Sequence, residues 1–178
     1  MDLMMQHEIG VPADRAWDVV GRHFADIGGW AAPILGSSLD APEPAVGATR
    51  TCHILGVGPF PAGAVREQLL HYDDTARSLH YQAVDGMPAF VTRAVNRWTV
   101  MPLAADRCAV HVHATLTLSR PFRMLGPVLR IRMRGESRAV LTDLEHILLT
   151  GRPHPRKQPA PVPGTGPGEG ADAPTVRG

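Results

Sequence analysis

Two periods of apolar residues divide the first 150 positions of this chain. From Arg107 to Leu118, Val110, Val112, Ala114, Leu116 and Leu118 line one face, while His111, His113, Thr115 and Thr117 line the other. That alternation is the signature of a strand buried on one side. The same reading predicts strands over Leu3–Ile9, Ile34–Leu39, Val46–Leu55, Ala64–His71, Ser78–Val84 and Phe90–Met101. Asp85-Gly86 is a turn signal before the last of these. Near the start, Val11-Pro12-Ala13-Asp14 opens a helix, because Pro12 suits a first turn; Trp17, Val20 and Phe24 form its buried stripe. Gly28-Gly29 is expected to break this region just before Trp30. From Gly126 to Leu149 the spacing lengthens to a helical period, with Leu129, Met133, Val140, Leu144 and Ile147 as the apolar stripe. Pro127 is tolerable at the start of that helix, and Gly151 is a suitable stop.

The order is strand, short helices, about six antiparallel strands and one long C-terminal helix, an α+β arrangement. A strongly curved antiparallel sheet can wrap such a helix. The space between them is hard to fill with side chains, so a pocket of several hundred Å³, about the usual size of a small-molecule site, is expected there.

The hairpin from Val46 to Asp74 has a charged interior. Ala48, Arg50, Cys52 and Ile54 share the more apolar face of its first strand, and Val65, Glu67, Leu69 and His71 share that of its second. The Gly- and Pro-rich loop Gly56 to Gly63 joins them. An arginine and a glutamate aimed at an apolar interior are costly unless paired. The pair is therefore either a structural strut or the polar floor of a wet pocket. Further along, Phe90, Thr92, Ala94, Asn96, Trp98 and Val100 share a face opposite Arg93 and Arg97. Asn96 is then a buried amide in need of partners. Phe90, Ala94 and Trp98 are expected as cavity wall, Tyr81 has the parity to line it, and His71 is the reserve acid or base.

Composition narrows the field. The chain has 178 residues, a formal charge of +1 and 44% hydrophobic residues, which suits one domain over residues 1–150. The stretch 151–178 holds seven of the 17 prolines and few large apolar residues, and is expected to be disordered and outside the fold. Near-neutral charge gives no mandate for nucleic acid or membrane. The start has neither a signal-peptide pattern nor an apolar run long enough for stable membrane insertion, so a cytoplasmic protein with reduced Cys52 and Cys108 is expected. His111 and His113 have a usable metal-ligand spacing but lie on a threonine-bearing solvated face, so no metal is expected. Arg123, Arg130, Arg132, Arg134 and Arg138 are read as solvated surface, with docking to an acidic carrier protein or an anionic membrane as the alternative. Walker loops, dinucleotide fingerprints and Gly-x-Ser-x-Gly elbows are absent, and no cofactor is expected.

The segments VPADRAWDVV, FADIGGW, VGATR and VREQLLHYDD, followed by the terminal helix, stand in an order that resembles the START-like, Bet v 1-like (SRPBCC) superfamily. More narrowly, residues 3–150 resemble the polyketide cyclase/dehydrase and lipid-transport family. The resemblance implies a helix-grip fold with an internal cavity for a hydrophobic ligand. The hairpin is also similar to that of the plant abscisic-acid receptors, where a GxTR strand, a Gly-Pro gate loop and an ER-L strand surround the ligand. Arg50, the loop Gly56 to Pro61 and Glu67 occupy those places, so the resemblance implies that Arg50 and Glu67 contact ligand. The receptors' carboxylate-binding lysine has no counterpart in ILGSS, and their His-Arg-Leu latch is replaced by Ala89-Phe90-Val91. Ala94 and Asn96 stand where the receptors have a pocket tyrosine and serine, so the cavity is retained for a different ligand.

Two functions follow from the resemblance and the inward polar groups. One is a cofactor-independent cyclase or dehydratase acting on a polyketide-type metabolite, as in antibiotic biosynthesis, with an acyl carrier protein as a possible partner. There Arg50 would stabilise an enolate and Glu67 would move the proton. A neighbouring guanidinium favours the ionised carboxylate, so base or water-positioner suits Glu67 better than acid. The alternative is a non-catalytic binder or carrier of a small hydrophobic ligand.

Overall fold

Residues 3 to 9 do form the first strand, β1 (Asp2–Ile9), whose Leu3 and Ile9 are buried. The computed structural model describes residues 1–56 and 62–157. After β1 come α1 (Ala13–Trp17), a π-helical turn over Asp18–Arg22, a 3-10 turn over Phe24–Asp26 and α2 (Ile27–Trp30). Six further strands follow: β2 (Ile34–Leu39), β3 (Thr49–Ile54), β4 (Gly63–Asp73), β5 (Ser78–Asp85), β6 (Val91–Ala104) and β7 (Arg107–Leu118). A 3-10 segment over Arg120–Leu125 leads into α3 (Gly126–Thr150). The seven strands form one antiparallel sheet in the order β1-β7-β6-β5-β4-β3-β2. Five of its six pairings join strands that follow one another in the chain; only β1 with β7 does not.

The inner face of the sheet packs on the helices. Val100, Val110 and Leu79 from the strands meet Trp17, Phe24 and Trp30 from the helical segment and Leu141, Leu144 and Leu148 from α3. A second cluster, Leu116, Leu118 and Leu129, lies towards the start of α3. Trp17 is fully buried yet donates its Nε1–H to Asp74 Oδ1 at 2.7 Å, tying the first helix to the β4–β5 turn.

Three local features depart from strict periodicity. Gly28 and Gly29 lie within α2 rather than breaking it. The need at Gly28 is for close approach: a Cβ there would sit 2.5 Å from the Ser37 backbone nitrogen, and Gly28 N–H donates to Ser37 Oγ at 2.8 Å. The ladder also slips at several points, two of which bear on the expected site residues. A shift between Leu69 and His71 moves His71 opposite His80, away from the inner row, and brings Tyr72 towards the core. A shift between Val91 and Arg93 pairs Val91 with Leu118 and leaves Thr92 exposed, so the inward face of β6 begins at Ala94 and not at Phe90.

The apolar stripe of α3 also differs from its expected composition. Leu129 and Leu144 are buried as predicted, but the other buried positions are Leu141, Leu148 and Asp143. Gly151 does end the helix, in the left-handed conformation (φ 70°), with its N–H on the Ile147 carbonyl. The chain then turns back on itself. Arg156 reaches the fully buried Asp143, with Nη2 2.8 Å from Oδ1, and also donates to the Ala139 carbonyl. Asp143 Oδ2 accepts the Ala32 N–H at 2.9 Å, and Lys157 donates to the Ile34 carbonyl. Residues 152–157 thus strap the end of α3 to the segment between α2 and β2. The rest of the expected disordered stretch, 158–178, lies outside the described residues, as does most of the β3–β4 loop, 57–61.

Candidate functional site

Arg50 and Glu67 stand directly opposite each other in the β3–β4 ladder. Arg50 Nη2 and Nε donate to one carboxylate oxygen, Glu67 Oε2, at 2.6 and 3.0 Å. Arg50 Nη1 donates to the Phe24 carbonyl at 2.7 Å, and its guanidinium carbon lies 3.7 Å from the Phe24 ring centre. Tyr81 flanks it at 5.1 Å. The guanidinium is only 2% exposed, sealed between aromatic faces that favour a cation. Burial works against its charge, but the Glu67 carboxylate outweighs this and holds the guanidinium above its ordinary pKa. The same burial raises the Tyr81 phenol and pushes the Cys52 thiol up to about 12.

Two spaces meet at this pair. The inner one is a void of about 10 Å³ bounded by Arg50, Phe24, Tyr81, Trp98 and Trp30. It has room for about one water. Trp30 Nε1 and Trp98 Nε1 are both buried without an acceptor among the described residues. The outer space is a cavity of about 260 Å³ between the sheet and the first half of α3. Glu67, Asn96, Ala94 and Ala83 line it from the sheet, with Val65 and Leu116. Leu129, Arg132, Met133 and Glu136 line it from α3, and Pro33, Ile34, Ile54, Leu55 and Met87 complete the wall.

The expected residues therefore separate into groups. Glu67, Asn96 and Ala94 face the cavity together. Arg50 stands behind Glu67 rather than in the cavity, and Tyr81 and Trp98 line the inner void with it. Strand parity sent all of them inward, but it carries no depth: the aromatic layer covers Arg50 and leaves Glu67 in front. Phe90, which precedes β6, packs against the Leu116, Leu118 and Leu129 cluster beside the cavity and stacks its ring on Phe122 at 5.2 Å. His71 lies away from the cavity, because the slip after Leu69 places its Nε2 3.1 Å from Ser78 Oγ and its ring 4.7 Å from that of His80. Arg132, expected on the outer surface of the helix, and Glu136, which the apolar pattern does not single out, also line the cavity. Their placement on the same side as Leu129 and Met133, at i+3 and i+7 from Leu129, was the available signal.

The Arg50 contacts on Glu67 all fall on Oε2, and Cys52 Sγ lies 3.5 Å from that same oxygen. Oε1 has no protein donor among the described residues. The result is a carboxylate fixed in orientation through one oxygen, on the wall of a mostly apolar cavity. Among the described residues no three His, Cys, Asp or Glu side chains are grouped as metal ligands would be. His113 is instead hydrogen-bonded to Asp2, with Nε2 3.0 Å from Oδ1.

A curved antiparallel sheet closed by one long helix over an internal cavity defines the START-like, Bet v 1-like class. The chain belongs to the polyketide cyclase / dehydrase and lipid transport family, whose model matches residues 2–148. Among solved structures, a START superfamily protein from Mycobacterium smegmatis superposes with a TM-score of 0.69 at 14% identity, covering 83% of this chain and 97% of that one. A solution structure from Thermobifida fusca gives 0.65 at 25% identity, over 86% and 97%. Norcoclaurine synthase from Thalictrum flavum, in complex with dopamine and hydroxybenzaldehyde, gives 0.64 at 16% identity, over 86% and 89%. No curated protein matches the chain.

Proposed function

We propose that this protein binds a small lipophilic metabolite of polyketide type and catalyses its cyclisation or dehydration by proton transfer, without a cofactor. The observation that carries this reading is the carboxylate of Glu67, held on Oε2 by Arg50 and set on the cavity wall. Oε1 takes a proton from a carbon beside a ligand carbonyl, and the C–H electron pair moves into an enolate. The Asn96 amide, on the same wall, donates to the enolate oxygen. The enolate carbon then attacks a second carbonyl of the same molecule, and the new alkoxide takes the proton back from Glu67. Loss of that hydroxyl with a neighbouring hydrogen, as water, completes a dehydration. Arg50 is a positioning residue here rather than the oxyanion donor, since Glu67 stands between it and the guest. A relative in fold, norcoclaurine synthase, holds dopamine and hydroxybenzaldehyde, and a cavity of about 260 Å³ suits molecules of that scale. In this reading the protein works in the cytoplasm on intermediates of antibiotic-type biosynthesis, taken free or from an acyl carrier protein.

One observation favours a carrier instead: most of the cavity lining is aliphatic, from Val65 and Leu116 to Leu129 and Met133. Native mass spectrometry of the purified protein identifies what it holds. Incubation of that compound with wild type, Glu67→Gln and Asn96→Leu, with product followed by mass, separates the readings. The enzyme reading expects turnover by wild type and a fall of about two orders of magnitude in either variant. Unchanged compound with wild-type protein would leave the carrier reading.

A further inference from the structure

The outer side of the first half of α3 is built unlike a solvated helix. Met124, in the 3-10 segment that leads into it, and Val128 and Ile131 on α3 itself are 90%, 67% and 78% exposed, and they follow one another about a turn apart. The opposite side of the same turns, Leu129 and Met133, faces the cavity. The apolar strip is therefore not a misplaced core face, because this helix segment already has one. Arginines border the strip on both sides: Arg132 on one, and Arg130, Arg134 and Arg138 on the other. Between residues 120 and 138 there are six arginines and one acidic residue, a formal charge of +5. The whole chain carries +1, so the rest of it carries −4.

We infer that this face docks on an anionic lipid surface. Three protruding apolar side chains on the convex start of α3 and the turn before it need an apolar medium that conforms to them, and the boundary of headgroups and acyl chains does so. A protein partner would have to supply a matching groove. Arginines on both flanks extend along the apolar strip and place their charges among lipid phosphates. The charge imbalance orients the molecule, since an anionic surface attracts the 120–138 face and repels the remainder. No helix among the described residues is long and apolar enough to cross a membrane, so the contact is one of lying on the surface. The inference holds whatever the cavity carries. Its geometry sets the cavity wall formed by α3 against the lipid, where an apolar guest can pass between bilayer and protein with little exposure to water.

Flotation with vesicles tests this on the full chain. Vesicles of phosphatidylcholine are compared with the same lipid containing about one-third phosphatidylglycerol. The wild type is expected to float only with the mixed vesicles, and to be released as salt is raised to about 1 M. A Val128→Asp/Ile131→Asp variant and an Arg130→Glu/Arg134→Glu/Arg138→Glu variant should each lose about tenfold or more of the bound fraction. Both change only exposed positions, and circular dichroism checks that they fold. Failure of the wild type to float overturns the inference, as does full flotation of the Val128→Asp/Ile131→Asp variant. So does a concentration-dependent dimer that Ile131→Asp abolishes, which would assign the face to a second copy. Capture of an acidic carrier protein by the arginines, with no vesicle binding, would assign it to that partner.

Discussion

Deleting the Arg50 side chain strands the Glu67 carboxylate, and deleting the carboxylate strands a sealed guanidinium. Breaking a buried pair from one side costs about 3–5 kcal/mol, whereas removing both charges together costs much less. Arg50→Met is therefore expected to lower stability by about 3 kcal/mol in urea unfolding, and Arg50→Met/Glu67→Leu to be more stable than Arg50→Met alone. Additive losses in the two variants would show that the partners do not depend on each other. The neighbouring Cys52 gives a pH prediction. Burial raises its thiol from 9.0 to about 12 in the folded state, and the Cys108 and Tyr81 groups shift the same way. Above pH 9 the unfolded chain releases protons that the folded chain keeps, so the unfolded state binds fewer protons and stability falls as pH rises. The stabilisation is complete below the ordinary thiol value and is lost between pH 9.0 and about 12. Thermal unfolding across that window should show the decline, with iodoacetamide labelling Cys52 only after denaturation. The Arg50–Glu67 pairing was legible in the sequence because parity and a single hairpin determine it. The screening of Arg50 by Phe24 and Tyr81 was not, because Phe24 is 26 residues away and local pattern carries no information on layering.

At the level of elements, the strap after α3 changes what the C-terminal stretch does. Asp143 is wholly buried, and Arg156 is its ion-pair partner among the described residues. Truncation after Gly151 removes that partner and the Lys157 contact with Ile34. Since Arg156 is itself partly solvated, a loss of about 2 kcal/mol is expected on truncation or in Arg156→Ala, measured by chemical unfolding. Asp143→Asn should cancel most of the Arg156→Ala loss, because no buried charge then remains. The β7 strand was readable at its full length, since alternation there is uninterrupted and both faces are decided by solvent. The α3 stripe was less readable. Its second half packs on the main core, where Leu141 and Leu148 are buried, while the regular positions Met133 and Val140 are only partly buried at the edges of the two clusters. A buried aspartate has no local signature, because its partner lies beyond the turn at Gly151. The register slips beside His71 and Phe90 were equally hidden: each adds one residue to a strand, and a slip of one exchanges the faces.

For the whole molecule, the cavity gives the most direct test. Ala94 lies on its wall beside Asn96, opposite Leu116 in the ladder. Ala94→Trp is expected to fill a large part of about 260 Å³ and abolish binding of a lipophilic fluorescent dye, read by titration, with the circular dichroism spectrum unchanged. Binding that persists at full affinity would place the guest elsewhere. The class of fold was legible at this scale because the order of strand and helix periods leaves few ways to bury every apolar face.

The sheet order also imposes a timetable on biosynthesis. β3 to β7 can pair as each leaves the ribosome, every strand meeting the one just made. β1 is made first, yet its partner is β7: Leu3 pairs with Ala114 and Ile9 with Cys108. Until residue 118 has emerged, the opening strand has no ladder to join, and Leu141, Leu144 and Leu148 arrive later still. A nascent chain of this design carries β1 unpaired until β7 has been made, an interval in which chaperones act and loop-closure entropy slows the final step.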